Sequence, residues 1–214
     1  MPEIIRIDPL GPDPSALSRA VDLLRNGGVA AYPTETFYGI GADAGNQSAI
    51  DKIFDLKGRE RINPIPLIIG DRSLLEAIVE DVPAAATSLI ETFWPGPLTI
   101  VFRAAAPSLN PALTGGTGKI GVRLSSHPLA RLLSNGISGA ITATSANLSG
   151  EAECVSAEEV TASLGERIQT VIDGGRTPGG KGSTVIDVTS SPPRIYRRGA
   201  VAVEAIERVI GKTA

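Results

Sequence analysis

The sequence has one cysteine, Cys154, and one histidine, His127. A lone cysteine excludes an intrachain disulfide and a cysteine-based metal cage. A lone histidine removes histidine-rich zinc sites, and any Ser-His or Cys-His triad would hang on His127 alone. Positive charge is also scarce. Twenty Lys and Arg stand against 23 Asp and Glu, a net charge of −3, so no basic coat covers the chain for gripping nucleic-acid phosphates. A local cleft of converging cations is still compatible with that balance. No apolar run approaches membrane-spanning length, and Met1-Pro2-Glu3 is not the basic start of a secretory signal. The expectation is a soluble cytoplasmic protein with no membrane contact. Apolar residues make up 42% and charged residues 20%, which is a globular composition. The 214 residues are enough for one domain with a full core.

Strand and helix patterns alternate. Residues 4–7 read as a strand, and Asp13-Pro14 caps a helix whose apolar positions are Leu17, Ala20, Val21 and Leu24. Gly27-Gly28 stops it, and residues 29–32 form an apolar strand. A second helix is predicted over 48–56. A strand over 65–69 should lie at an edge or start irregularly because of Pro66. Helices over 73–79 and 84–93 lead to the Pro95-Gly96-Pro97 break and a strand over 98–102. Further strands are predicted at 120–124, 140–144, 169–172, 184–188 and 194–196. Helices are predicted at 128–133, after the Ser156/Glu159 capping box, and at 201–210. This order implies an α/β domain with a mixed sheet. The glycine-rich stretches 113–118 and 173–183 match neither a Walker A loop nor a dinucleotide fingerprint, and they read as mobile loops over a site.

The residues with chemical potential fall in a few places. Pro33-Thr34-Glu35-Thr36-Phe37-Tyr38-Gly39 sets hydroxyls and a carboxylate on a loop after an apolar strand, where α/β sheets present ligand groups. The same hydroxyls also suit a plain turn. Lys57-Gly58-Arg59 ends the second helix. Its cations suit either the helix dipole or a phosphate clamp, with Lys as a point charge and Arg as a fork. Arg123 at a strand end could pair with a protein carboxylate or bind a substrate one. Lys119 belongs to the same lobe, and Ser145-Ala146-Asn147 offers a hydroxyl and an amide on a turn. His127 precedes a helix-starting proline and reads as structural. Cys154 has no readable base, and Asp43, Asp51 and Asp55 lack metal-ligand spacing.

Taken in order, these pieces resemble the YrdC family, specifically its short (TsaC-type) L-threonylcarbamoyl-AMP synthases. The resemblance runs from Tyr32–Gly41 through Lys57-Gly58-Arg59, Phe93-Trp94-Pro95-Gly96-Pro97-Leu98-Thr99, Val122-Arg123 and His127-Pro128. It continues through Ser145-Ala146-Asn147, Ile172-Asp173-Gly174-Gly175 and Gly182-Ser183-Thr184-Val185 to Arg197-Arg198-Gly199. It implies a single YrdC-like domain over 1–214, with a twisted mixed sheet and flanking helices around a deep, positively lined cavity. It implies a nucleotidyltransferase that turns L-threonine, bicarbonate and ATP into L-threonylcarbamoyl-AMP and pyrophosphate. A separate transferase complex would then use that product to modify tRNA. By position, the resemblance assigns Thr34, Arg123, Ala143 and Ser183 to threonine. It assigns Lys57, Arg59, Lys119, Ser145, Asn147 and Arg197 to ATP, with Lys57 and Arg59 catalytic. Some archaeal-type members carry a histidine on the strand after the Lys-x-Arg pair; this chain has Ile68 there. The C-terminal domain and gating linker of longer members are expected to be absent.

The implied chemistry needs no protein nucleophile, because a carbamate attacks the α-phosphorus directly. Positioning and charge stabilisation would carry it. No protein metal site is expected; Mg²⁺ would come with ATP, held mainly by phosphate oxygens. Two other readings stand beside this one. One is a YciO-like paralogue with a different activity. The other is a module holding double-stranded RNA or tRNA, leaving weak RNA binding open. The acidic balance counts against the second, and the intact Lys57, Arg59, Ser145 and Asn147 set counts against the first.

Overall fold

The computed structural model describes residues 1–105 and 109–214. The chain opens with β1 (Glu3–Arg6) and helix α1 (Pro14–Arg25), whose N-cap Asp13 accepts a hydrogen bond from Ala16 N at 2.9 Å. A hairpin of β2 (Ala30–Pro33) and β3 (Tyr38–Gly41) leads into α2 (Gln47–Lys57), capped by Asn46. Then come β4 (Leu67–Ile69), a 3-10 turn over Arg72–Ala77, α3 (Ala84–Phe93), β5 (Leu98–Arg103), the short α4 (Pro111–Thr114) and β6 (Lys119–Leu124). Helix α5 (Pro128–Ile137) precedes two two-residue strands, β7 (Ile141–Thr142) and β8 (Thr144–Ser145). The remainder is α6 (Ala157–Leu164), a 3-10 turn over Gly165–Arg167, β9 (Thr170–Asp173), β10 (Thr184–Asp187), β11 (Arg194–Arg197) and α7 (Val203–Ile210).

The strands form two mixed sheets, ordered β1-β9-β2-β3-β8 and β11-β10-β5-β6-β4-β7. The expected mixed pairing is present, but the strands are shared between two sheets, and the chain crosses from one to the other at residue 143. The stretch 140–144, predicted as one strand, pairs with β4 through β7 and then with β3 through β8. Tyr38 and Gly39, read as part of a loop, instead begin strand β3, which pairs with β2. Pro66 does not put its strand at an edge: β4 begins one residue later and lies between β6 and β7. Residues 73–79 form 3-10 geometry over Arg72–Ala77, not an α-helix. Ser156 caps α6 by accepting from Glu159 N at 3.3 Å, while the Glu159 carboxylate accepts from Val155 N at 2.8 Å. Residues 113–118 are not all loop, since Leu113 and Thr114 lie in α4.

Alternation places successive side chains on opposite sheet faces. Ala31 of β2 and Leu67 and Ile69 of β4 join one core with α2, α3, α6 and α7; Ala30, Tyr32 and Ile68 join another with α1 and α5. Both faces of these strands are therefore buried, which suits their apolar runs.

Thr142 ties the sheets together at their junction. Its hydroxyl donates to Ile40 O at 3.0 Å and accepts from Ala42 N at 3.0 Å. Its carbonyl accepts from the Tyr32 hydroxyl at 2.8 Å. Thr142 is fully buried, so losing the hydroxyl strands two backbone groups. Thr142→Val is expected to lower the unfolding free energy by about 2–4 kcal/mol. Urea unfolding with an unchanged slope checks this.

Candidate active site

A cavity of about 160 Å³ opens where the chain passes from one sheet to the other. Thr34, Thr36 and Phe37 line it from the β2–β3 turn; Ala143, Thr144 and Ser145 line it from the crossing. Thr99 and Arg123 reach it from β5 and β6, Gly182 and Ser183 from the loop before β10, and Arg59 and Arg197 stand at its wall. A second cavity of about 370 Å³ adjoins it; Arg59, Pro66, Thr99 and Arg197 line both. The adjoining space is further bounded by Lys119, Val101, Val185 and Tyr196.

The loop is locally determined. Thr34 Oγ1 donates to Phe37 O at 2.7 Å, accepts from Thr36 N at 3.2 Å and lies 3.1 Å from Thr36 Oγ1. Thr34 thus serves the turn and also lines the cavity. Arg123 is 6% exposed, and its NH1 lies 3.5 Å from Glu35 Oε1. Ser183 Oγ is 2.8 Å from Thr99 Oγ1 and accepts from Arg197 NH2 at 2.9 Å, while Arg197 Nε donates to Ser183 O at 3.0 Å. Gly199 lets this strand approach: a Cβ there would lie 2.3 Å from Gly182 O.

Lys57-Gly58-Arg59 closes α2. Gly58 is left-handed at φ 59°, and Arg59 N bonds back to Phe54 O at 3.0 Å, a helix end that favours glycine. Lys57 turns inward and donates from Nζ to Ser145 O at 2.5 Å, with Ser145 Oγ at 3.4 Å. Burial, then the neighbouring Arg59, pulls its ammonium down to about 8. Arg59 donates to Asn63 O at 3.2 Å and Pro64 O at 2.9 Å. Burial lowers the pKa of both Arg59 and Arg197.

Of the residues assigned by resemblance, Thr34, Arg59, Arg123, Ala143, Ser145, Ser183 and Arg197 line the main cavity. Lys119 lies in the adjoining one, 2.8 Å from Asp187, whose hydrogen bond raises its pKa. Lys57 and Asn147 do not line either space. Asn147 is buried, donates to Glu151 O at 2.7 Å and keeps Oδ1 unpaired. Ile68 is fully buried among apolar residues and reaches neither cavity. His127 sits at the N-cap of α5 without a side-chain cap bond. Sequence reasoning assigned no role to Glu35, Ser125, Thr99 or Glu153. Glu35 stood inside the opening motif, but its partner lies 88 positions away, and local spacing carries no signal of that.

Among the described residues no group of three or more His, Cys, Asp or Glu could hold a metal ion. Glu153 is the one carboxylate lining the main cavity. What the site offers is three guanidinium groups, several hydroxyls and backbone, a set matched to an anion beside a small polar molecule.

A family model described as "Telomere recombination" (Sua5_yciO_yrdC) matches residues 22–199. The chain is 40% identical over 204 residues to a Bacillus subtilis protein named threonylcarbamoyl-AMP synthase, covering 95% of this chain and 59% of that one. The crystal structure of Pyrococcus abyssi Sua5 complexed with L-threonine superposes with a TM-score of 0.94 at 37% identity, over 98% of this chain and 61% of that one. Escherichia coli YciO gives 0.86 at 28% identity, over 96% of this chain and the whole of the other. The chain thus spans about three-fifths of the length of the first two.

The buried ammonium of Lys57 has a consequence for stability. Between about 8 and the ordinary 10.5 the folded chain holds fewer protons on Lys57 than the unfolded chain. Stability contributed by this group therefore rises with pH through that window and is flat below it. Unfolding free energies of the native protein and Lys57→Met, measured at about pH 7.5 and about pH 10, are expected to shift relative to each other in favour of the native protein. An unchanged difference would refute a depressed Lys57.

Proposed function

The chain belongs to the Sua5/YciO/YrdC family, and we propose that it makes L-threonylcarbamoyl-AMP and pyrophosphate from L-threonine, bicarbonate and ATP. The observation that carries this reading is one cavity that combines a buried arginine beside threonine hydroxyls with two further arginines at its wall. A relative with a TM-score of 0.94 was crystallised with L-threonine. The lower similarity to YciO, 0.86 at 28% identity, supports the synthase over a paralogue.

In the proposed reaction the threonine amine and bicarbonate condense to a carbamate and release water. A carbamate oxygen then attacks the α-phosphorus of ATP, and pyrophosphate leaves with the bonding electron pair. Arg123 takes the threonine carboxylate as a bidentate fork. Thr34, Ala143 and Ser183 bound the same amino acid. Arg59 and Arg197 face the phosphates, where developing charge meets donors already in place. Lys57, fixed on the Ser145 carbonyl, adds a charge behind Ser145. Asn147 and Lys119 complete the nucleotide side, Lys119 from the adjoining space.

The donor set fits a Mg²⁺ that arrives on the triphosphate, since the main cavity holds one carboxylate, Glu153, and no acidic cage. That ion would neutralise phosphate charge, with Glu153 as its protein-side oxygen. The product would pass to a tRNA threonylcarbamoyl transferase complex. Among the described residues no helix is long and apolar enough to cross a membrane, and the proposed location is the cytoplasm.

Incubation with ATP, threonine and bicarbonate is expected to release pyrophosphate only when all three are present. Arg59→Ala is expected to weaken that rate by about 2–4 kcal/mol of transition-state stabilisation, roughly 30- to 1,000-fold. Release that ignores threonine would overturn the assignment.

A further inference from the structure

Arg123 is a cation where the fold supplies apolar company. It lies in register with Ile68 on the neighbouring parallel strand, so both side chains leave the same face of the sheet. Ile68 packs there against a cluster containing Tyr32, Leu129 and Ile141. A guanidinium at 6% exposure in such surroundings needs a counter-charge. Among the described residues Glu35 is the only carboxylate that pairs with it, at 3.5 Å.

Glu35 comes from the other sheet, on the turn that also carries Thr34 and Thr36. Its side chain is 11% exposed and lines neither cavity. Oε2 accepts from Ser125 Oγ, and Ser125 Oγ in turn accepts from His127 N at 3.1 Å. Ser125 is fully buried, two residues beyond Arg123 and just past the end of the same strand. Glu35 is therefore braced at two points against the segment that carries Arg123. Its Oε1 accepts no hydrogen bond and pairs with NH1 of Arg123, while the buried Nε of Arg123 has no partner. With NH1 occupied, the Nε–NH2 edge of the fork is left to meet a carboxylate.

We propose that Glu35 is a positioning residue: it holds Arg123 across the junction of the two sheets, so that the free edge of the guanidinium meets the carboxylate of the amino-acid substrate. This rests on the assignment of the cavity to threonine. It adds that the turn reading the amino acid and the cation gripping its carboxylate are one coupled unit. Removing the negative charge at Glu35 frees the guanidinium to rotate without touching any residue that contacts the nucleotide.

Calorimetric titration of L-threonine into the full chain, with a non-hydrolysable ATP analogue present, tests this. Glu35→Gln keeps the shape and an acceptor for Ser125 and removes only the charge. It is expected to weaken threonine roughly 10- to 100-fold, the range for losing the partner that orients a binding group. Affinity for the analogue alone should stay within about twofold. Glu35→Asp, which restores the charge, is expected to recover part of the loss. In an Arg123→Ala background, Glu35→Gln should cost nothing further. Native-like threonine binding by Glu35→Gln overturns the proposal, as does a full additional loss in the Arg123→Ala background. Should Glu35→Gln not fold, Ser125→Ala removes the second brace, and unchanged threonine affinity there overturns the proposal equally. Native protein that neither binds nor consumes threonine overturns the assigned function instead. Glu35–Arg123 coupling is then read from the melting temperatures of the two single variants and the double variant, and simple additivity overturns it.

Discussion

The junction at Thr142-Ala143-Thr144 is the constraint on which the rest depends. One residue separates a strand of the second sheet from a strand of the first. Thr142 answers the backbone of Ile40 in β3 and of Ala42 just beyond it with its hydroxyl, and Ala42 again with its amide, and it receives the Tyr32 hydroxyl from β2. These bonds lie in the dry interior, where an unmade one costs far more than a made one returns. They fix the separation of the two sheets at the point where the cavity opens. Ala143 then contributes a small wall to that cavity, with its amide tied to Pro66 O at 2.8 Å.

A net-acidic protein can hold a cationic site because the opposing charges are kept apart. Arg59, Arg123 and Arg197 converge on one space, while Arg6, Arg19, Arg25, Arg61 and Arg176 pair with surface carboxylates. Surface pairs of this kind contribute little. The cations around the site instead lean on carbonyls: Arg59 on those of Asn63 and Pro64, Arg197 on that of Ser183, Lys57 on that of Ser145. Carbonyl dipoles orient a cation without neutralising it. Net positive charge is thereby left available to an anion, which a full set of carboxylate partners would have cancelled. Arg123 and Lys119 are the exceptions, paired with Glu35 and Asp187.

Legibility followed the range of the interactions. Caps and helix ends were readable because Asp13, Ser156 and Gly58 act within a few residues of themselves. Strand β3 was not, because Tyr38-Gly39 carries the signature of a turn and its strand character comes from pairing with β2 and β8. The break at residue 143 was hidden for the same reason: an apolar, β-branched run reads as continuous, and only the partners on either side reveal two strands. Ile68 shows the converse. Some archaeal-type members carry a histidine at that position, but alternation along β4 sends Ile68 into the core on the face opposite Leu67 and Ile69.

The two short pairs taken from the sequence as separate nucleotide contacts turn out to be joined. Lys57 Nζ holds Ser145 O, and Ser149 Oγ returns to the Lys57 carbonyl at 3.2 Å. The segment from Ser145 to Ser149 therefore wraps the C-terminal end of α2, where a cation and hydroxyl donors meet unpaired carbonyls. This explains how a residue outside the cavity wall can matter to the site. Lys57 fixes the strand whose hydroxyl faces the cavity, and its own charge acts through that strand at short range in a medium of low dielectric. The lysine that finishes α2 and the lysine that holds Ser145 are one residue, so the helix-end reading and the proposed role at the site do not displace each other.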